Sequence, residues 1–144
     1  MAELEPGLQR RIRASIRRQS LLTTMGVEIA EVADGRVVLD LPYRADLCQQ
    51  NGYMHAGAVT AVVDSACGYA ALTRMPDGRD VLTVEFKVNL VSPAQGDRFR
   101  AAGTVVRSGR TLTICSGEVT ADGPGPPRLV ALMQATMMAV TPPA

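Results

Sequence analysis

His55 is the only histidine in the chain, which excludes metal sites built on several imidazoles and leaves any Ser-His-Asp triad a single candidate base. No GxSxG elbow is present to supply the serine of such a triad. The three cysteines, Cys48, Cys67 and Cys115, are odd in number, far apart and without a CxxC pair, so they suggest neither a disulfide framework nor a zinc site. They read as buried or idle thiols. Neither charge sign is in excess: 15 Lys and Arg stand against 14 Asp and Glu, and no overall field draws nucleic acid or an anionic membrane. Apolar runs stay short of the roughly 18–20 residues of a membrane span, and "MAELEPGLQRRIR" carries acids where a signal peptide has its apolar core. The expectation is a cytoplasmic protein with no membrane or nucleic-acid partner. Aromatics are few, three Tyr and two Phe, and say little about the depth of any pocket.

What the chain does contain is enough apolar material for one core: 47% of its 144 residues are hydrophobic. In "LQRRIRASIRRQSLL", Leu8, Ile12, Ile16 and then Gln19 or Ser20 recur at helical spacing, with Arg10, Arg13 and Arg17 turned outward. This predicts one amphipathic helix in an N-terminal segment, residues 1–25, ahead of a main domain at 26–144. Its arginines read as a solvated face, and the segment is too short for a helix-turn-helix unit.

"MGVEIAEVADGRVVLDLPY" alternates apolar and polar positions around Asp34-Gly35, a hairpin signal. From about Met54 to Thr73 the alternation stops, and Ala, Val, Gly and Leu occupy nearly every direction of a helical wheel, as in a buried helix. Pro76-Asp77-Gly78 closes it. Four further strands follow in "VLTVEFKVNLV", "DRFRAAGTVVRSG", "RTLTICSGEVTAD" and "PRLVALMQATMMAV", separated by Gly- and Pro-bearing turns. The fold class is α+β, an antiparallel sheet wrapped around a long central helix.

Asp64 lies within this small and apolar helix. An ionised carboxylate in a low-dielectric interior costs several kcal/mol unless it is paired, hydrated or used. Ala56 and Gly57 stand on the first turn of the same helix, where backbone N–H groups lack intrahelical partners and the dipole is positive, a natural oxyanion site. Eight residues separate Ala56 from Asp64, about 12 Å along one helix at 1.5 Å per residue. One chain does not bring both to the same atom, so a joint site requires two copies related by a twofold axis.

These residues resemble a known family. His55-Ala56-Gly57 followed by Asp64 and "SACGYAA", then "LTVEFKVNLVSPAQGD" and "VVRSGRTLTICSGEV", are similar to the hotdog-fold acyl-CoA thioesterases. The branch they resemble is that containing the phenylacetate-pathway enzyme (PaaI-like), within the 4-hydroxybenzoyl-CoA thioesterase superfamily. The likeness covers roughly residues 26–140. It implies hydrolysis of a small or medium, including aromatic, acyl-CoA, with no cofactor. It gives Asp64 the role of nucleophile or general base and Ala56 that of the N–H donor to the thioester carbonyl. It further implies that His55 shapes and orders the site, with Gly57 a member of the same motif, that Thr83 assists near the attacking water, and that Arg107 and Arg110 meet the phosphates of coenzyme A. A homo-oligomer is implied too: a dimer with sites at its interface, and a homotetramer as a dimer of dimers.

The chain departs from the pattern twice. Alanine replaces the usual glycine after the motif histidine, which keeps the N–H and is harmless if φ there is helical. The family's Asn six residues before the histidine is Gln49 here, while Asn51 stands four residues before it, so either is a candidate for contact with substrate or water. Met133, Met137, Met138 and Leu132 read as packing or as an acyl tunnel. Two other functions compete. A non-catalytic acyl-CoA-binding regulator would leave Asp64 a structural role. An enoyl-CoA hydratase of the same fold is disfavoured, because its Asp-x5-His spacing has no second histidine to fill it.

Overall fold

The computed structural model describes residues 2–144. The elements are α1 (Pro6–Arg18), α2 (Ser20–Met25), β1 (Glu28–Ala33), β2 (Arg36–Pro42), a 3-10 turn at Ala45–Leu47, α3 (Ala56–Leu72), β3 (Asp80–Leu90), β4 (Arg98–Ser108), β5 (Leu112–Asp122) and β6 (Arg128–Val140). The six strands form one antiparallel sheet in the order β1-β2-β4-β5-β6-β3, and α3 packs on its inner face: the hotdog architecture.

The β1–β2 hairpin turns at Asp34-Gly35, where Gly35 takes a left-handed φ of 72°. Its N–H is bonded to Thr73 Oγ1 at 2.8 Å, which ties the turn to the end of α3.

Two glycines set how closely α3 approaches the sheet. Gly103 and Gly117 are paired across β4 and β5, and a side chain on either would collide with the helix. A Cβ on Gly117 would stand 2.6 Å from Val63 Cγ2 and 2.9 Å from Cys67 Sγ. The alanine- and glycine-rich sequence of α3 is the other half of this fit, because small residues on both surfaces allow close backbone approach.

The N-terminal helix differs from the expectation of one element. It breaks at Gln19, whose backbone is extended at φ −73° and ψ 106°, and resumes as α2. Ile12 and Ile16 of α1 and Leu22 and Met25 of α2 all enter the core that α3 and the sheet form. An unbroken helix would carry the apolar stripe past the body, and the break turns Leu22 and Met25 back onto it. Burial of α3 is likewise uneven. Residues 66–72 are buried, whereas Gly57 is exposed and Ala58, Thr60, Ala61, Asp64 and Ser65 are half-buried.

Candidate active site

The start of α3 is pinned by its neighbours: Met54 N–H donates to the Ala94 carbonyl at 3.0 Å and His55 N–H to the Leu47 carbonyl at 2.9 Å. His55 is the N-cap residue, its Nδ1 accepting from Gly57 N–H at 2.8 Å. That bond fixes Nδ1 as the unprotonated nitrogen and engages the Gly57 N–H within the chain. The His55 carbonyl accepts from Ala58 and Val59. Of the first-turn donors, the Ala56 N–H is left without an acceptor among the described residues. No described non-glycine residue has a positive φ, so alanine at 56 sits in ordinary backbone without strain.

A cavity of about 170 Å³ opens beside this donor, with Gln49, Tyr53, Met54, Ala56, Val59 and Leu90 among its walls. Gln49 is thus the member of the Gln49/Asn51 pair that stands with Ala56. Asn51 is exposed in the turn, where its backbone N–H donates to Gln49 Oε1 and steadies that side chain.

Asp64 is half-buried further along α3, and Thr83 of β3 donates its hydroxyl to Asp64 Oδ1 at 2.8 Å. Burial pushes the carboxyl above the usual aspartate range, and the Thr83 hydrogen bond opposes the rise without cancelling it. A second cavity, of about 140 Å³, adjoins Asp64 and runs along α3 past Ser65 and Gly68 to Tyr69, with Thr83 and Val81 on the strand side. The chain thus carries two separate candidate half-sites on one helix: a free N–H donor at its start, and a carboxylate about two turns on.

Arg107 and Arg110 are exposed, and neither joins an ion pair among the described residues. Thr83, Met137 and Thr113 form one row across β3, β6 and β5, so the β4–β5 hairpin bearing Arg110 lies at the Asp64 end of the sheet. The methionine cluster divides: Met133 and Met137 are buried, while Met138 is 38% exposed. Cys67 and Cys115 are fully buried and their thiols are pushed up by burial, that of Cys115 to about 11, which leaves both unreactive.

Of the residues lining this second cavity, the sequence reading gave no functional role to Gln19, Ser65, Gly68, Tyr69, Asp80 or Val81. Gly68 stands four residues after Asp64 on the same helical face, a signal legible in retrospect. Gln19 reaches Tyr69 across 50 residues of sequence, which no local pattern encodes.

Comparison with known proteins identifies the class to which this fold belongs. The model of the thioesterase superfamily matches residues 51–127. A thioesterase family protein from Silicibacter pomeroyi superposes with a TM-score of 0.92 at 46% identity, covering 94% of this chain and 100% of that one. A candidate esterase of Saccharolobus solfataricus is 32% identical over 69% of this chain and 71% of its own length. The PaaI protein of the E. coli phenylacetic acid degradation operon shares the fold, with a TM-score of 0.83 at 17% identity over 96% of each chain. The chain belongs to the thioesterase superfamily, and it is a thioester hydrolase.

Proposed function

We propose that the protein hydrolyses acyl-CoA thioesters at two equivalent sites in a homodimer, each built from Asp64 of one copy and the Ala56 N–H of the other. The observation that carries this reading is the separation of the half-sites: each lacks, within its own chain, what the other has. The exposed edge strand β3 supports the pairing. It leaves one row of backbone groups without a neighbour and carries Leu82, Val84, Phe86 and Leu90 at 45–60% exposure, an apolar edge suited to a second copy.

In this reading Asp64 acts as general base. It takes a proton from a water that attacks the thioester carbonyl carbon, and the Ala56 N–H, with the helix dipole behind it, stabilises the oxyanion. The carbon–sulfur bond then breaks, the proton passes from Asp64 to the leaving sulfur, and free acid and coenzyme A result. Thr83 holds the carboxylate, Gln49 lines the Ala56 cavity, His55 fixes the helix start, and Arg107 and Arg110 offer positive charge to the coenzyme A phosphates.

Release of free coenzyme A from a panel of straight-chain and aromatic acyl-CoAs tests this reading, with wild type compared against Asp64→Asn at the same oligomeric state. A fall of about a thousandfold or more in the variant is expected. Equal hydrolysis by both proteins, or binding without hydrolysis by either, overturns it.

A further inference from the structure

The cavity beside Asp64 ends on a polar contact between the N-terminal segment and α3. Gln19 Nε2 donates to the Tyr69 hydroxyl at 2.8 Å, and that hydroxyl is 3.0 Å from Ser15 Oγ. Both Gln19 and Tyr69 line the cavity, as does Asp80 at the start of β3. Tyr69 stands five residues after Asp64, about 7.5 Å along the helix. The pit therefore runs from the carboxylate to the Gln19 amide. Gly68 lines the pit, and a Cβ there would meet Met137 Sδ and Val81 Cγ1 at 3.9 Å, ordinary contact, so alanine is accommodated and its methyl group would take up part of the pit.

At about 140 Å³ the pit has the bulk of a single six-membered ring or a comparably short chain. The long arm of coenzyme A does not fit such a space, so the acyl side of a thioester held at Asp64 is what enters. The far wall offers an amide, a phenol and a carboxylate. These groups favour a neutral hydrogen-bonding end on the acyl chain, and the two carboxylates, Asp64 and Asp80, repel an anionic one.

We infer that Gln19, carried to the pit by the break between α1 and α2, is a specificity-determining residue that closes the far end and selects short, neutral acyl groups bearing a terminal hydroxyl. The inference rests on the hydrolase reading above and adds a role for the N-terminal segment. Gln19 touches none of the reacting atoms and acts on the remote end of the substrate.

The test compares kcat/KM for butanoyl-CoA, its terminally hydroxylated form and octanoyl-CoA. Gln19→Ala should raise the octanoyl-to-butanoyl ratio about tenfold, and Gly68→Ala should lower it by a similar factor. Gln19→Leu, which keeps the bulk and removes the amide, should lower the hydroxylated-to-plain butanoyl ratio about tenfold. A purely structural role for Gln19 would scale all three substrates together. Ratios within about twofold of wild type in all three variants, with wild type active, overturn the inference and leave the hydrolase reading standing. A wild type that hydrolyses none of a broad acyl-CoA panel overturns both.

Discussion

Thr83 Oγ1 stands 2.8 Å from Asp64 Oδ1, joining an edge strand to the central helix across 19 residues of sequence. This bond favours the ionised carboxylate against the burial that disfavours it. Thr83→Val, nearly the same shape without the donor, should therefore shift the acid limb of the kcat/KM–pH profile to higher pH and lower activity at neutral pH about tenfold. Thr83→Ser should restore both. An unmoved acid limb in the valine variant would detach Thr83 from the carboxylate's chemistry.

Asp64 itself is held at a cost. Its pKa is raised in the folded chain, so above that pKa the ionised form destabilises the fold relative to the unfolded state. Asp64→Asn should raise the Tm at pH 7 by a few degrees while removing activity, a stability–activity trade. The gain should vanish as pH falls below the unfolded value of about 3.9, where the carboxyl is protonated in both states. Thermal scans at pH 7 and at acid pH measure it, and a lower Tm at pH 7 would contradict the burial argument.

Proline at position 56 offers a clean removal of the proposed oxyanion donor. Ala56 is the first helical residue, where proline is favoured, and His55 before it has φ −60° and ψ 137°, the extended conformation a pre-proline residue adopts. Ala56→Pro should fold with an unchanged Tm and lose about a hundredfold to a thousandfold in kcat. Ala56→Gly should keep the activity. Full activity in the proline variant would remove the N–H from the mechanism.

Shared sites predict complementation. Asp64→Asn and Ala56→Pro chains, each inactive alone, should regain activity when unfolded together and refolded. Half of the random dimers are mixed, and each mixed dimer has one intact site, so recovery should approach roughly a quarter of wild type. No recovery, with mixed dimers demonstrated by mass spectrometry, would place each site within one chain.

Asp40 lies on the outer sheet face, buried to 4% exposure, with Arg100 donating through Nε and Nη2 at 2.8 Å each and Arg98 through Nη1 at 3.4 Å. The Arg100 hydrogen bonds hold its carboxyl below the usual range against desolvation. That stabilisation is full above the unfolded pKa and is lost as pH falls through the folded one. Asp40→Ala should cost about 1–2 kcal/mol at pH 7, tempered because both arginines are half exposed. The difference from wild type should shrink as pH falls below the unfolded aspartate value of about 3.9 and through the lower folded one, as urea midpoints at neutral and acid pH would show. A cost independent of pH would assign the loss to packing.

Much of the candidate site's geometry was legible because its parts are local. His55, Ala56 and Gly57 are consecutive, and Asp64 follows in the same helix, so helical geometry alone relates them. Thr83 was placed by resemblance, and the structure shows why a hydroxyl there meets the carboxylate: its strand runs alongside α3. The choice between Gln49 and Asn51 was not legible, because it depends on which way an irregular loop turns, and that is set by contacts to Leu47 and Ala94. The break at Gln19 was hidden for a related reason. The apolar spacing of Leu8, Ile12 and Ile16 runs into "QSLL" without a glycine or proline to mark a stop.

Local chemistry in the sequence determined the strands, the central helix and the placement of a carboxylate in its middle, because period and turn residues act over a few positions. The tertiary structure decided what lies within reach of that carboxylate. Gly103 and Gly117 let the helix settle onto the sheet, Thr83 meets Asp64, and Gln19 meets Tyr69. Each of these contacts joins residues far apart in sequence, and only the packing of the whole core brings them together.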